Sequence, residues 1–169
     1  LWLAPESEHP LYAPDLLPVA YECSDGEARV IQPEDPRLHA EKRIVIRETE
    51  EENSVEIDYQ VRNTGPVPLY GAPWAVSAMR AGGVLTVPFS AENDEITAKP
   101  GRFLSLWNTT SLGDARLAFA EEAVQIRQLP LGAYFKIGLF CSAGTARYEI
   151  GDQTFVKRFP VSPGAVYPD

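Results

Sequence analysis

The chain has 169 residues, of which 44% are hydrophobic and 23% are charged, and its formal net charge is -9. Length and composition fit one globular domain with a substantial core, and they argue against a disordered or fibrous protein. The acidic balance argues against nucleic acid or an anionic membrane as the main partner, because both attract clustered Lys and Arg.

The negative charge is concentrated at the start of the chain. Residues 1–58 hold 15 Asp and Glu against 5 Lys and Arg, a net of -10, whereas residues 59–169 hold 9 against 10, a net of +1. Any acidic surface is therefore expected in the first third.

Residues 1–40 form a Pro-rich segment, since prolines stand at positions 5, 10, 14, 18, 33 and 36. This density breaks helices and interior strands, so it predicts an extended arm. Within the arm, Tyr21 to Glu22 and Ala28 to Gln32 are predicted as short strands around the turn Ser24-Asp25-Gly26.

From position 41 the hydrophobic pattern alternates as in β-strands. A first hairpin is predicted from Ile44 and Ile46 to the alternating run Val55 to Val61, with an acidic tip at Thr49 to Asn53. Two further strand pairs are predicted, Leu69 to Ala81 with Val84 to Phe89, and Phe103 to Trp107 with Ala123 to Arg127.

The last third shows the clearest strands, predicted at Ala133 to Phe140, Thr145 to Ile150 and Gln153 to Phe159. Gly151-Asp152 fits a two-residue type II′ turn between the last two. Ala115 to Val124 is the one candidate for a short helix. The fold predicted is an all-β, antiparallel β-sandwich of about ten strands, a single domain over 1–169 with an arm at 1–40 and a β core at 41–169.

Two lysines fall on strand faces that carry aromatic residues. The Gly151-Asp152 turn pairs Ala146 with Lys157 and places Lys157 on the face of Phe155 and Phe159. The same alternation places Lys136 beside Tyr134, Gly138 and Phe140. One interpretation is that both stems cover apolar surface at a sheet edge. The other is a sugar-binding surface on which rings stack and Lys donates to hydroxyls, with Trp74 and Trp107 as further platforms.

Asp114 and Arg116 allow two interpretations, a self-contained ion pair, which is favoured, or an Arg presented into a site. Cys23 and Cys141 favour two separate buried thiols over one long-range bridge. The only histidines, His9 and His39, lie in the arm, so neither a catalytic triad nor a zinc site is predicted. No cofactor is predicted either.

Beyond these patterns, the ordered succession of short motifs resembles the DUF4380 family of uncharacterised bacterial proteins, which is similar to the galactose mutarotase-like supersandwich of aldose 1-epimerases. The motifs run almost from end to end: Leu1-Trp2-Leu3-Ala4-Pro5-Glu6, Tyr12-Ala13-Pro14-Asp15, Glu41-Lys42-Arg43, Val61-Arg62-Asn63-Thr64-Gly65, Ala72-Pro73-Trp74-Ala75, Gly82-Gly83, Asp114-Ala115-Arg116-Leu117, Phe135-Lys136-Ile137-Gly138, Phe155-Val156-Lys157-Arg158-Phe159 and Tyr167-Pro168-Asp169.

The resemblance implies a supersandwich of which this chain is an incomplete middle part, with exposed sheet edges that a second copy would cover as a homodimer. It does not imply mutarotation. Aldose epimerases use a His acid and a Glu base, whereas Leu3 stands where the family's usual His follows the first Trp.

Three functional hypotheses follow. The leading one is a carbohydrate-binding or catalytically inactive mutarotase-like protein that binds a sugar or another polyhydroxylated ligand through Lys136, Lys157, Trp74, Trp107 and Arg116. The second is a residual epimerase or lyase using Glu149, Asp152 or His39. The third is a structural module that assembles through its sheet edges. A soluble protein of the cytoplasm or periplasm is expected, with no nucleic-acid or membrane partner.

Overall fold

The structure is a computed structural model that describes residues 2–4, 17–89 and 102–162. The chain forms two compact units, Leu1–Ser77 and Ala78–Tyr167. In the described part it contains thirteen strands and no helix: β1 Trp2–Ala4, β2 Ala20–Ser24, β3 Glu27–Asp35, β4 Ala40–Glu48, β5 Val55–Asn63, β6 Ala72–Trp74, β7 Val84–Pro88, β8 Leu104–Leu106, β9 Leu117–Phe119, β10 Ala123–Arg127, β11 Ile137–Leu139, β12 Thr145–Ile150 and β13 Gln153–Arg158. Over these ranges, no helical segment has the length and apolar character needed to cross a membrane.

The first unit contains an antiparallel four-stranded sheet in the order β2-β3-β4-β5. It also contains the two-stranded pair β1-β6, whose strands precede and follow that sheet in the chain. Every connection in the larger sheet is a hairpin. Gly26 supplies a positive φ of 69° at the β2–β3 turn, and Asn53 one of 57° at the β4–β5 turn, the left-handed conformation that Gly and Asn adopt most readily.

The two faces of this sheet differ in chemistry because side chains alternate along each strand. One face carries the row Tyr21, Val30, Ile44 and Tyr59, followed by the row Cys23, Ala28, Ile46 and Ile57. The opposite face carries a charged row in which Arg47 lies 2.7 Å from Glu27 and 3.6 Å from Glu56.

The second unit is built on a five-stranded antiparallel sheet in the order β13-β12-β7-β10-β9 and on the pair β11-β8. The five-stranded sheet buries Val124 completely and leaves Tyr148 only 5% exposed. The Tyr148 hydroxyl accepts a hydrogen bond from the Gly83 N–H at 3.0 Å and lies 2.6 Å from Gln128 Oε1. This satisfied hydroxyl ties β12 to the segment that enters β7.

The all-β antiparallel class predicted from the sequence is confirmed, and so are three hairpins between neighbouring strands, β2–β3, β4–β5 and β12–β13. β2 and β3 are present and longer than predicted, and β4 and β5 form the predicted hairpin. In the last hairpin Ile150 pairs with Gln153 and Ala146 with Lys157, the register expected from the turn. Gly151 has a φ of 59° and Asp152 does not have a positive φ, as a type II′ turn requires.

Two predicted pairings are wrong, the hairpin across Gly82-Gly83 and the pair Phe103 to Trp107 with Ala123 to Arg127. Gly82 and Gly83 do not form a hairpin turn, since their backbone groups hydrogen-bond to Gln128, the residue after β10. β7 pairs with β10 and β12 rather than with residues 69–81, within which β6 pairs with β1. β8 pairs with β11 rather than with β10. In place of a short helix at Ala115 to Val124 there are the strand β9 and the start of β10.

Candidate functional site

Trp107 and Lys136, two of the residues predicted to bind a ligand, meet at the end of the β8–β11 pair. β8 ends at Leu106, which is opposite Ile137, so Trp107 and Lys136 are the next residues along the two strands. Lys136 Nζ lies 4.0 Å from the centroid of the Trp107 ring. At this distance the ammonium is attracted to the negative face of the indole.

The prediction that Lys136 lies within a strand is wrong, since residues 133–136 are irregular and β11 begins at Ile137. Tyr134, predicted to share a strand face with Lys136, is 85% exposed. The position of Lys136 therefore depends on the contacts of its own segment rather than on a strand ladder.

Thr110 supplies the first of these contacts. The Trp107–Thr110 turn closes with a hydrogen bond from Thr110 N–H to the Trp107 carbonyl at 2.8 Å. The Thr110 hydroxyl then accepts from Lys136 N–H at 2.9 Å and donates to the Lys136 carbonyl. One hydroxyl thus joins the turn that carries Trp107 to the backbone of Lys136.

Arg116 supplies the second contact. Its Nη1 donates to the Ala133 carbonyl at 3.0 Å, and its guanidinium lies 4.7 Å from the centroid of the Phe135 ring. Arg116 is 8% exposed, so this contact with the segment before Lys136 is largely covered from solvent.

Asp114 holds Arg116 in this position. Its two carboxylate oxygens accept from Arg116 Nε at 2.9 Å and from Nη2 at 2.7 Å, a bidentate pair of the kind that fixes a guanidinium plane. These side-chain hydrogen bonds, together with one from the Arg116 backbone N–H, lower the pKa of Asp114 to about 2, and the pKa of Arg116 is raised. The structure thus contains the ion pair that the sequence favoured.

An open depression of about 410 Å³ adjoins this arrangement, lined by Ser105, Leu106, Trp107, Asn108 and Thr109. Its volume falls within the roughly 300–1,000 Å³ typical of small-molecule clefts. The lining residues include an indole, a carboxamide and the hydroxyl-bearing Ser105 and Thr109, and the Lys136 ammonium lies over the indole. The chemistry available there is hydrogen bonding to hydroxyl groups combined with apolar contact.

The other two predicted ligand contacts lie elsewhere in the fold. Lys157 is in β13 of the five-stranded sheet, opposite Ala146. Trp74 is the last residue of β6, in the first unit, opposite Trp2. Neither residue lines the depression, and of the five predicted contacts only Trp107 does. Lys136 contacts the Trp107 ring, and Arg116 contacts the segment before Lys136.

The alternative acid–base residues are dispersed. Glu149 lies 2.9 Å from Arg147, and Asp152 lies in the exposed turn after β12. His39, in the first unit, has a φ of 47° and lies 3.4 Å from Glu34. Within residues 2–4, 17–89 and 102–162, no group of three or more His, Cys, Asp or Glu is arranged to hold a metal ion.

Both cysteines are free, and the expectation of two buried thiols fails for Cys23, which is exposed on edge strand β2. Cys141 is half-buried and its thiol donates to the Thr145 carbonyl at 3.2 Å.

The site also contains residues that were not predicted from the sequence: Ser105, Leu106, Asn108, Thr109 and Thr110. Asn108-Thr109-Thr110 stands out only as a glycosylation-like motif, and nothing local indicates that the Thr110 hydroxyl reaches a residue 26 positions later. Comparison with protein-family models, with curated proteins and with solved structures finds no match for the chain.

Proposed function

We propose that the protein is a carbohydrate-binding β-sheet protein whose ligand occupies the depression beside Trp107. The observation that carries this proposal is the fixed pairing of the Lys136 ammonium with the Trp107 indole next to that depression. A sugar combines C–H surfaces with hydroxyl groups, so it suits a site that offers a ring together with a few hydrogen-bonding groups.

In this proposal each residue has a distinct role. Trp107 packs against the C–H surface of the sugar, while the Lys136 ammonium and the Asn108 carboxamide bind hydroxyls. Thr110 and Arg116 are positioning residues, since their contacts are made with the backbone of Lys136 and of Ala133. The arrangement is prepared before the ligand arrives, which limits the entropy lost on binding.

The proposal is tested by titrating a panel of neutral and acidic mono- and oligosaccharides while tryptophan fluorescence is recorded. We expect a saturable change with at least one sugar, which Trp107→Phe abolishes and Lys136→Ala weakens. Trp74→Phe and Lys157→Ala are the matched controls, because they change the same residue types away from the Trp107–Lys136 pair and should leave binding intact.

Calorimetry with the same sugar checks that the fluorescence change reports binding. The proposal is overturned if no sugar binds to a protein that unfolds cooperatively, or if Trp107→Phe leaves the affinity unchanged. Equal losses of sugar affinity in Lys136→Ala and Lys157→Ala would place the site away from Trp107 and would also contradict the proposal.

A further inference from the structure

Strand β5, Val55–Asn63, is a long outer strand of the four-stranded sheet. Among the described strands its only ladder partner is β4. Val55 is 56% and Ile57 43% exposed. Edge strands are usually protected by Pro, a bulge, short length or charged side chains. Of these β5 has the charged side chains of Glu56, Asp58 and Arg62, but no Pro and no bulge, since its nine residues pair with β4 without a register shift.

The sequence of β5 is complementary to itself when it is read in the opposite direction about Tyr59. An antiparallel partner strand centred there places Tyr59 opposite Tyr59, Ile57 opposite Val61, Asp58 opposite Gln60, and Glu56 opposite Arg62. Opposite residues in antiparallel strands share a face, so apolar meets apolar on one side and acid meets base or amide on the other. The end pair, Val55 opposite Asn63, is the exception, since it places an apolar side chain against a polar one.

Ion pairs within one chain extend this complementarity beyond β5. Across the sheet Glu27 contacts Arg47 at 2.7 Å, and Arg47 contacts Glu56 at 3.6 Å. Nearer the other end of β5, Arg62 contacts Glu41 at 2.9 Å. Joining two copies about Tyr59 would bring Glu56 of one beside Arg62 of the other, so that the signs alternate without a break across the junction.

Neighbouring registers are poorer. Centring the pair on Asp58 places two carboxylates opposite each other. Centring it on Gln60 pairs Asp58 with Arg62, but it places Ile57 opposite Asn63, closer to the axis than the Val55–Asn63 mismatch of the Tyr59 register. A shift of one residue in one strand alone would put apolar side chains opposite polar ones on both faces. The register about Tyr59 is therefore favoured, because it opposes no like charges and confines the apolar–polar mismatch to the ends of the strands.

From this complementarity we infer that two copies of the chain associate through β5, antiparallel and centred on Tyr59, to form a continuous eight-stranded sheet. The two side chains that would pair across the interface are accessible to a second copy, since Glu56 is 66% and Arg62 is 70% exposed. The inference is independent of carbohydrate binding, because β5 lies in the first unit and Trp107 in the second.

The association is tested by light scattering after size exclusion over a range of protein concentrations. We expect a dimer that dissociates on dilution. Arg62→Glu places two carboxylates opposite each other at both ends of the interface and should remove the dimer. Arg29→Glu is the matched control, since it makes the same change of charge on the same face of the sheet, on β3 rather than at the edge.

Cysteine cross-linking tests the register itself. In a Cys23→Ser, Cys141→Ser background, Tyr59→Cys should form an intermolecular disulfide with oxidised glutathione. Ile57→Cys alone should not, because its two copies would be about 13 Å apart along the strands, whereas Ile57→Cys with Val61→Cys should. Denaturant unfolding of each variant shows that it is folded.

A monomer at every concentration overturns the inference. So does a dimer that survives Arg62→Glu, or one in which Ile57→Cys cross-links as readily as Tyr59→Cys, because each places the contact on another surface or in another register. None of these outcomes bears on whether a sugar binds beside Trp107.

Discussion

At the scale of single residues, the Thr110 hydroxyl has the greatest influence on the proposed site. It bonds both backbone groups of Lys136 from a position 26 residues away in sequence. Thr110→Val keeps the shape of the side chain but leaves the Lys136 N–H without that acceptor. We expect a loss of about 1–3 kcal/mol in the free energy of unfolding, together with weaker sugar binding.

Thr109→Val is the control for this substitution, because Thr109 is an exposed neighbour in the same turn. Its unfolding free energy should stay within about 0.5 kcal/mol of that of the unmodified chain. Denaturant titration measures both variants, and equal stabilities would show that the Thr110 hydroxyl does not hold Lys136.

The Asp114 carboxylate gives the protein a specific dependence on pH. Hydrogen bonds from Arg116 hold the pKa of Asp114 at about 2, below the roughly 3.9 of an unfolded chain. The stabilisation that Asp114 provides is therefore complete above about pH 4 and is lost as pH falls toward 2. Asp114→Asn should be less stable at neutral pH, and its disadvantage should shrink in this interval.

Other carboxylates also have lowered pKa values, so the difference in stability between the Asp114→Asn variant and the unmodified chain is the quantity to measure. Hydrogen bonds from Arg47 lower the pKa of Glu27, and although burial acts to raise the pKa of Asp35, hydrogen bonds from Arg37 leave it below its usual value. Denaturant unfolding from pH 7 to pH 2 gives the comparison. A stability gap that stays constant over this range would contradict the role assigned to Asp114.

At the scale of strands, the close approach of β12 to the start of β7 depends on the absence of a side chain at Gly83. A Cβ there would lie 2.6 Å from the Glu149 carbonyl oxygen and would also meet the Tyr148 ring. We expect Gly83→Ala to lower the unfolding free energy by about 1–3 kcal/mol, as overpacking does. Gly132→Ala, with nothing within 4 Å of its Cβ, is the control for denaturant titration.

The strand pairings show which part of the fold local sequence determines. The β2–β3, β4–β5 and β12–β13 hairpins are predictable because their turns lie between the paired strands, at Gly26, Asn53 and Gly151. The pairings of β7 with β10 and β12, and of β8 with β11, join strands far apart in the chain. They depend on burial against distant partners, and short alternating runs fit several partners equally well. Gly82-Gly83 has the composition of a hairpin turn, but its backbone hydrogen-bonds to Gln128 next to β10.

The candidate site follows the same division. Asp114 and Arg116 are two positions apart, so their ion pair can be predicted from the sequence. The aromatic and cationic character of Trp107 and Lys136 can be predicted as well. The contact between Trp107 and Lys136 cannot be predicted from local sequence, since it depends on the non-local β8–β11 pair and on the hydrogen bonds of Thr110. Lys157 looks equivalent to Lys136 in the sequence, but its strand belongs to a different sheet.

At the scale of the whole molecule, charge and strand pairing divide in the same way. Residues 1–77 contain 15 Asp and Glu against 6 Lys and Arg, a net of -9, whereas residues 78–169 contain 9 of each. Each of the described sheets lies within one unit. The self-complementary strand is thus in the acidic unit, and the proposed sugar site is in the neutral one.

Because each described sheet belongs to one unit, a local defect should loosen its own unit more than the other. Gly83→Ala strains β7 and β12 of the five-stranded sheet, so in hydrogen exchange followed by mass spectrometry we expect faster exchange in peptides from residues 78–162. Peptides from residues 17–77 should exchange at nearly the rate of the unmodified chain, and Gly132→Ala should change neither group. Equal acceleration over both ranges would mean that the units open together as one cooperative structure, and would contradict their independence.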